Sequence, residues 1–418
     1  MSHEESILVS VITPSFNQAG FIRETIDSVL SQDYRNIEYI VVDGGSTDGT
    51  VDILRSYAER DPRFRFVSEP DQGQSDAINK GLRMANGTII GWLNSDDTYL
   101  PGAIRKAVQA FQVRPDWAVV YGRAVFTDET SRHLHEYPVE PFSPEALFRF
   151  CIVCQPAAFI RRDVFLEVGG VDAGLKFCMD YDLWIRIAKR FPLGYIPEFL
   201  ATTRYHAASK TATQWYTTGI AEVNHTQLKH YGAISEIFMN ESWKAYGDQT
   251  PWILFNGAKE HAAFGMTPQV VAMNRHHDLW VPPRFRITVR QDPSNPLAYL
   301  IIKGNHAIPS IAPKIKGPLR LSVYVNGHRI ARRTARKGEF TLIIPVSSPR
   351  EETVVELRTA RRIRPSRLRI NQDRRLLSYL VYEAVAASAK EFLFYQILQT
   401  NPAEASGWMA ANKRESGG

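Results

Sequence analysis

Two adjacent carboxylates follow an apolar run in the first quarter of the chain, where they could hold a metal ion. Asp96 and Asp97 end the sequence Asn94-Ser95-Asp96-Asp97, and the preceding residues 88–93 are typical of a buried strand. Carboxylate oxygens suit Mg²⁺ or Mn²⁺, which complete their coordination shells with substrate phosphates and water. We therefore predict a divalent cation beside a diphosphate ligand at this turn. An Asx turn with a helix N-cap before Pro101 is the structural alternative.

Apolar runs and amphipathic stretches alternate around this motif. Four apolar runs predict buried strands, and three stretches between them predict helices. The predicted strands are 7–12, 37–42, 64–67 and 88–93, and the predicted helices are 18–30, 51–60 and 75–84. Such alternation predicts a mainly parallel sheet with helices on both faces. Because ligands bind at the carboxyl ends of such strands, the polar loops that follow the four runs should line one site.

Five stretches in series resemble the inverting family-2 glycosyltransferases of the GT-A fold. Their order and spacing match those of the family across about the first 210 residues. The stretches are Val11-Ile-Thr-Pro-Ser-Phe-Asn17, Ile40-Val-Val-Asp-Gly-Gly-Ser-Thr-Asp-Gly49, Glu69-Pro-Asp-Gln-Gly-Gln-Ser-Asp-Ala77, Gly91-Trp-Leu-Asn-Ser-Asp-Asp97 and Met179-Asp-Tyr-Asp-Leu-Trp184. The resemblance implies an α/β fold with a mixed, mainly parallel sheet flanked by helices. It also implies transfer of a sugar from a nucleoside diphosphate donor.

The resemblance further implies roles for individual residues. Asp97 would ligate a Mn²⁺ or Mg²⁺ ion, and Asp96 would contact the ribose or share the metal. Asp180 would be the general base that accepts the proton of the attacking acceptor hydroxyl, and such a base supplies about 10²- to 10⁴-fold in rate. The other implied donor-binding residues are Thr13, Pro14, Phe16, Asn17, Asp43, Asp71, Gly73 and Asp76.

Three further polar residues have two interpretations each. Asp182 rivals Asp180 as an acceptor-side carboxylate, but the two point about 200° apart on a helix. We expect Asp182 to face solvent in the first helical turn. His206 lies in a segment that resembles the loop folding over the diphosphate, and it is either a metal ligand or a structural histidine. Gln155 is either an acceptor-side residue or part of a strand-entry turn. Gly44 departs from the family, which often has a second Asp there.

After residue 210 of the 418-residue chain, the sequence pattern changes twice. Residues 211–279 are helical and aromatic in pattern. Five short apolar runs follow between residues 285 and 357, and the turn signal Asn326-Gly327 lies among them, so we predict an antiparallel β-sandwich. Residues 378–387 are either its last strand or a short helix. The predicted divisions are a GT-A domain at 1–210, a helical extension at 211–279, a β-sandwich accessory domain at 280–390 and a C-terminal tail at 391–418.

Basic residues concentrate in one late segment, although the formal net charge of the chain is only +6. Residues 281–375 contain 21 Lys or Arg against 6 Asp or Glu. Arginine clusters bind anionic membrane surfaces, acidic glycans or nucleic acids. The segment lacks interleaved exposed aromatic residues, which disfavours nucleic acid. A solvated basic face without a partner is the alternative.

The cysteines and the first residues favour a cytoplasmic protein. Cys151, Cys154 and Cys178 are too few and too local for a disulfide framework. Residues 1–6 are polar and acidic, unlike a secretory signal, and no apolar stretch reaches the roughly 20 residues that span a bilayer. We expect a cytoplasmic location, at the inner face of the membrane if the basic segment binds lipid.

These patterns lead to one leading hypothesis and two rivals. The leading hypothesis is inverting transfer of a sugar to a glycan or lipid-linked acceptor in cell-surface polysaccharide assembly. A catalytically inactive glycan-binding protein is one rival. A sugar nucleotidyltransferase is the other, but Thr13-Pro-Ser-Phe-Asn17 lacks the Gly-rich basic loop that would hold a triphosphate.

Overall fold

The chain folds into two compact units in a computed structural model, Met1–Gly247 and Asp248–Gly418. The structure describes residues 7–247, 250, 253–254, 270–291, 296–313, 315–346, 351–367, 373–400 and 402–412. The four-part division at residues 210, 279 and 390 remains a prediction, and residues 255–269 of the expected helical extension lie outside the described residues.

The first unit is built on a nine-stranded mixed sheet, counted over the described residues, with the order β3-β2-β1-β4-β8-β6-β9-β5 and β7 beside β6. Its strands are β1 (Val9–Ser15), β2 (Ile37–Asp43), β3 (Phe64–Ser68), β4 (Ile89–Trp92), β5 (Thr98–Tyr99), β6 (Val119–Thr127), β7 (His133–Glu136), β8 (Ala158–Arg161) and β9 (Leu193–Arg204). The first four strands are parallel to one another, and β8 runs antiparallel to β4. The predicted mixed, mainly parallel sheet is confirmed.

Helices connect or follow these strands, and most of them bury an apolar face. They are α1 (Ile22–Leu30), α2 (Thr50–Ala58), α3 (Gln74–Met84), α4 (Ala103–Val113), α5 (Pro144–Arg149), α6 (Arg162–Glu167), α7 (Met179–Ala188), α8 (Lys210–Gln214), α9 (Ile220–Tyr231) and α10 (Glu236–Tyr246). In α1 the residues at helical spacing, Ile22, Ile26 and Val29, are fully buried, because that stripe packs on the sheet. A π-helical turn, Trp215–Gly219, separates α8 from α9.

The polar loops of the first unit share one edge of the sheet. Register pairs Ser15 with Asp43 and Asp43 with Ser68, so the ends of β1, β2 and β3 lie side by side. Each strand is followed there by one of the loops that the sequence singled out. This edge therefore gathers residues that are up to about 80 positions apart in the chain.

The second unit contains two antiparallel sheets that enclose one apolar core. Its strands are β10 (Val270–Met273), β11 (Trp280–Val281), β12 (Arg284–Arg290), β13 (Leu297–His306), β14 (Leu319–Val325), β15 (His328–Ala335), β16 (Gly338–Pro345), β17 (Glu352–Arg358) and β18 (Tyr379–Ser388). The sheet orders are β10-β12-β17-β14-β15 and β11-β18-β13-β16. Buried side chains of both sheets form a single cluster, as in a sandwich. The predicted β-sandwich is confirmed, and residues 378–387 prove to be a strand.

Three helices complete the described part of the second unit: α11 (Ile308–Ile311), α12 (Ala389–Thr400) and α13 (Pro402–Asn412). The last two occupy much of the segment expected to be a tail. Within the described residues, no helix combines the length and apolar character that crossing a bilayer requires.

Candidate active site

The side chain of Asn94 holds the turn Asn94-Ser95-Asp96-Asp97 in place after β4. Its Oδ1 accepts a hydrogen bond from Gln74 Nε2 at 2.9 Å, and its Nδ2 donates to Gln155 Oε1 at 2.7 Å. The next long helix, α4, has Gly102 as its N-cap. The alternative interpretation of this turn as a helix N-cap is therefore wrong, and the carboxylates do not serve a helix end.

Asp96 and Asp97 differ in their surroundings. The Asp97 side chain is buried, and its Oδ1 accepts a hydrogen bond from the Arg204 backbone N–H at 2.9 Å while Oδ2 accepts one from Asn94 Nδ2 at 3.3 Å. Burial and the neighbouring Asp96 charge hold the pKa of Asp97 well above its ordinary value. The Asp96 side chain is 21% exposed, and its Oδ2 lies 3.2 Å from His206 Nε2. Asp96 is thus the more accessible of the two carboxylates, and its partner His206 is buried.

Arg204 is a buried cation that locks the turn against the neighbouring loops. Its Nε donates to the Asp96 carbonyl at 2.8 Å, its Nη1 to Ser131 Oγ at 2.9 Å and its Nη2 to the Glu24 carboxylate at 2.6 Å. The side chain is 1% exposed, and its guanidinium lies 5.1 Å from the ring centre of Phe21. Because charge-assisted hydrogen bonds are strong, Arg204 fixes the backbone that presents both carboxylates.

The end of β1 and the loop after it carry four of the predicted donor-binding residues. Thr13 and Pro14 are buried within the strand. Asn17 is exposed and has a left-handed backbone, with φ of 53°, and its N–H donates to Ser46 Oγ at 2.7 Å. Phe16 is 59% exposed. The Phe16 ring therefore offers an accessible aromatic surface on this loop.

Asp43, the last residue of β2, holds the neighbouring loops at this edge of the sheet through hydrogen bonds. Its buried carboxylate accepts hydrogen bonds from the N–H groups of Gly45 at 3.1 Å and Ser46 at 2.9 Å, and from Ser68 Oγ at 2.7 Å. The second oxygen accepts from Ser46 Oγ at 2.5 Å. Both oxygens are thus engaged within the protein, and Asp43 shapes the loop around it.

The loop after β3 is shaped by its own carboxylates. Asp71 Oδ1 accepts a hydrogen bond from the Gly73 N–H at 2.8 Å, and Asp76 Oδ2 accepts one from the Gln72 N–H at 3.2 Å. Gly73 has φ of 113°, which a side chain would disfavour. A Cβ on Gly44 would lie 2.8 Å from Asp71 Oδ2. An aspartate at position 44 would therefore require the Asp71 carboxylate to move.

Asp180 is a carboxylate without a counter-ion in the first turn of α7. Among the described residues its stabilising contacts are backbone N–H groups, its own and that of Tyr181, and no cation pairs with it. Its neighbours include the thiols of Cys151, Cys154 and Cys178. Burial raises the pKa of Asp180 to about 6. A carboxylate whose pKa approaches neutrality suits general base chemistry.

Asp182 does not face solvent, so that expectation is wrong. Its carboxylate is fully buried and lies 2.7 Å from His230 Nε2, 2.6 Å from Arg186 Nε and 3.4 Å from Lys229 Nζ. These partners hold the pKa of Asp182 below its ordinary range despite its burial. The helical rotation separates Asp182 from Asp180 as expected, and it turns Asp182 toward α9 and away from the loop edge.

Replacing Asp182 with Asn should destabilise the first unit by roughly 3 kcal/mol. Its cationic partners would then lie beside a buried side chain that no longer carries a negative charge. The pKa of Asp182 is lowered by folding, so its contribution is present above the ordinary pKa of an aspartate and is lost as the pH falls through the folded value. Urea unfolding of both proteins at pH 7 and at pH 2 measures the difference in unfolding free energy, which should be smaller at pH 2. An equal difference at both pH values would contradict the ion-pair explanation.

Gln155 supports the turn from the opposite side. Its side chain is buried in a 3₁₀ turn, Gln155–Ala157, and its Nε2 donates to the Trp92 carbonyl while its Oε1 accepts from Asn94. The strand-entry interpretation describes its position, because β8 begins at Ala158. An acceptor contact by Gln155 remains a prediction.

Lys210 connects Gln74, which holds the acidic turn, to the loop that precedes α7, and no sequence motif singled it out. Its Nζ donates to Gln74 Oε1 at 2.7 Å and to the Lys176 carbonyl at 2.9 Å. Burial lowers the pKa of this lysine, while Glu222 and Asp96 oppose that shift. Gln74 also holds Asn94, so one chain of contacts links both halves of the site. Only the capping signal of Ser209 was visible in sequence.

The chain is similar in sequence to known glycosyltransferases. Residues 10–169 match the family model described as glycosyl transferase family 2. An uncharacterized glycosyltransferase of Rickettsia prowazekii is 32% identical over 216 residues, which are 50% of this chain and 67% of that protein. The O-antigen biosynthesis protein RfbC of Myxococcus xanthus is 31% identical over 214 residues, 49% of this chain but only 16% of that protein.

Among solved structures, mannosyltransferase PcManGT from Pyrobaculum calidifontis, in complex with GDP-Man and Mn²⁺, aligns with a TM-score of 0.44 at 22% identity. That alignment covers 61% of this chain and 74% of the other. The family match falls on the unit that holds the acidic turn and Asp180. The chain therefore belongs to glycosyl transferase family 2 and is a glycosyltransferase.

Proposed function

We propose that this glycosyltransferase moves a sugar from a nucleoside diphosphate donor to a glycan or lipid-linked acceptor, with inversion at the anomeric carbon and Asp180 as general base. One observation carries the proposal. A half-buried carboxylate without a counter-ion among the described residues, Asp180, lies in the first turn of α7, and Lys210 and Gln74 link the loop before this helix to an acidic turn at the carboxyl end of the sheet. A role in polysaccharide assembly is supported by the similarity to the Myxococcus protein, which is named for O-antigen biosynthesis.

Asp96 and His206 are the residues that would hold a divalent cation. The Asp96 carboxylate is partly exposed, and among the described residues its Oδ2 has only His206 Nε2 as a side-chain neighbour. Among those residues no set of three acidic, His or Cys side chains converges. A two-ligand site fits Mg²⁺ or Mn²⁺, because these ions accept one or two carboxylates together with water and substrate phosphates. We favour Asp96 over Asp97, whose oxygens already accept internal hydrogen bonds.

The proposed reaction is a single in-line displacement. The ionised Asp180 carboxylate accepts the proton of the acceptor hydroxyl as that oxygen bonds to the anomeric carbon. The bond from this carbon to the diphosphate oxygen breaks with its electron pair, and the nucleoside diphosphate departs. A bound cation would neutralise charge on that leaving group. Attack from the face opposite the leaving group inverts the anomeric centre.

Two other residues support donor binding by their chemistry. The exposed Phe16 ring offers a stacking surface for a nucleobase, a contact worth roughly 1–3 kcal/mol. The Lys210 ammonium contributes a positive charge near the turn, and its two hydrogen bonds hold it in one orientation. Asp43 and Asp71 would act through the loops that they support.

A ligand screen tests the proposed function directly. We expect one of the UDP-, GDP- or dTDP-sugars to raise the melting temperature in the presence of Mn²⁺, by an amount that grows with ligand concentration. The same sugar nucleotide should be hydrolysed or transferred slowly. If no sugar nucleotide shifts the melting temperature and none is consumed, the transferase proposal fails. Binding of a free glycan without any donor binding would support the inactive glycan-binding rival.

A further inference from the structure

A basic groove crosses the second unit on the sheet that contains β14, β15 and β17. Its volume is about 860 Å³, within the size range of ligand-binding clefts. Six arginines line it, and none of its thirteen lining residues is acidic or aromatic. The arginines are Arg320, Arg332, Arg333, Arg358, Arg361 and Arg362.

The strand register explains why these charges share one face. In β14 the buried Leu319, Leu321 and Val323 alternate with Arg320 and Ser322, which therefore point to the outer face of the sheet. Ser322 lies opposite Arg332 on β15 and opposite Arg358 on β17. Arg332 and Arg358 thus flank one serine across three adjacent strands, roughly 10 Å apart at their backbones.

Two of the groove arginines are held by contacts within the protein, whereas three others are exposed and could contact a ligand. Arg358 donates to Glu356 and lies 4.0 Å over the Tyr324 ring, and Arg361 Nη2 donates to the Lys316 carbonyl at 2.9 Å. By contrast, Arg320, Arg332 and Arg362 are exposed, and no carboxylate in the described part of the chain pairs with them. Like charges gathered without counter-charges repel one another, so an anionic ligand would stabilise this face.

We infer that this groove binds an acidic glycan, a sugar polymer bearing carboxylate, sulfate or phosphate groups, at a site separate from the transfer chemistry. Guanidinium groups pair with such anions in bidentate fashion, and the hydroxyls of Ser322, Thr334 and Thr359 in the lining suit sugar hydroxyls. A concave shape fits a polymer strand better than a flat bilayer surface. The lack of aromatic rings in the lining disfavours single-stranded nucleic acid. The inference does not depend on which donor the first unit uses.

Direct binding to the full chain tests the inference without turnover. The probe is a fluorescently labelled chondroitin sulfate oligosaccharide, and a neutral dextran oligosaccharide of equal length is the control. The combined substitution Arg320→Gln, Arg332→Gln and Arg362→Gln should weaken binding about tenfold or more, because it removes three charged contacts worth roughly two- to fivefold each. The matched control makes the same Arg→Gln change at three exposed arginines outside the groove, Arg329, Arg336 and Arg374. It should change the dissociation constant less than twofold.

The outcomes separate the groove from general electrostatic attraction. Loss of binding in the groove triple alone, with an unchanged melting temperature, supports the inference. Equal losses in both triples would overturn it, because both remove three positive charges. Binding of dextran as tight as that of chondroitin sulfate would also overturn it. So would preferential binding of phosphatidylglycerol vesicles or of a single-stranded DNA 20-mer, with chondroitin sulfate left unbound.

Discussion

Replacing Asp180 with Asn should lower sugar transfer by about 10²- to 10⁴-fold, because the acceptor hydroxyl would lose the base that takes its proton. The same substitution should make the protein more stable at neutral pH. Folding raises the pKa of this carboxylate to about 6, so ionising it in the folded state costs free energy. Each unit of raised pKa corresponds to about 1.4 kcal/mol, which suggests a gain of about 1–3 kcal/mol for Asn.

The pH dependence of both effects follows from the sign of the shift. Asp180 must be ionised to act, so kcat/KM of the wild-type protein should fall about tenfold per unit as the pH drops below roughly 6. A group with a raised folded pKa contributes stability below its ordinary pKa and loses that contribution as the pH rises through the folded value. The stability advantage of Asp180→Asn should therefore appear at pH 7 to 8 and vanish below about pH 4.

Asp182→Asn is the matched control for this experiment. It makes the same chemical change two residues along the same helix, but the carboxylate that it removes is paired with His230, Arg186 and Lys229. We expect it to lower the melting temperature while the folded protein retains most of its turnover. If Asp180→Asn kept wild-type transfer, or if both substitutions abolished transfer with equal losses of stability, Asp180 would not be the base.

The sequence predicted the acidic turn and its neighbours because the relevant signals are local. Apolar runs of β-branched residues fix where β1, β2 and β4 end, and in a parallel sheet those ends share one edge. The positions of Asp43, Asp96 and Asp97 followed from that rule. The order of the motifs then sufficed to indicate the family.

Such local rules do not predict contacts between residues that are far apart in the sequence. Asp182 was expected at the surface because an acidic residue in a first helical turn commonly is exposed, but its partner His230 lies 48 positions away on α9. Lys210 was not singled out because its partner Gln74 lies 136 positions away. Neither pairing leaves a pattern in the local sequence. Both became visible only when the fold placed the elements together.

The edge strand β15 (His328–Ala335) was missed for a different reason. Seven of its eight side chains are exposed or half-buried, so it lacks the apolar alternation that predicts a strand. Its arginines were noted only as part of the basic segment 281–375. In the structure two of them, Arg332 and Arg333, line the groove on the second unit, because the strand register places them beside β14.

Removing the Asp96 carboxylate should abolish stimulation by Mn²⁺ and reduce kcat/KM at least about 100-fold, since a bound cation provides several kcal/mol of charge stabilisation. Asp96→Asn keeps the shape of the side chain but weakens its affinity for a hard cation. His206→Ala should raise the Mn²⁺ concentration needed for half-maximal transfer by about 10- to 100-fold if it is the second ligand. Electron paramagnetic resonance of bound Mn²⁺ measures both losses independently of turnover.

Asp97→Asn provides the decisive contrast, because it makes the same substitution at the adjacent residue. The Asp97 carboxylate is buried and accepts hydrogen bonds from the Arg204 backbone and from Asn94, so an asparagine can keep the first of these with its carbonyl oxygen. We expect Mn²⁺ binding to survive this change within about tenfold, at a cost in stability. The opposite pattern, with Mn²⁺ binding lost in Asp97→Asn and kept in Asp96→Asn, would make Asp97 the ligand, as the family resemblance first implied. It would also require the turn to rearrange on binding, because Asp97 has little room for an ion while Arg204 holds it.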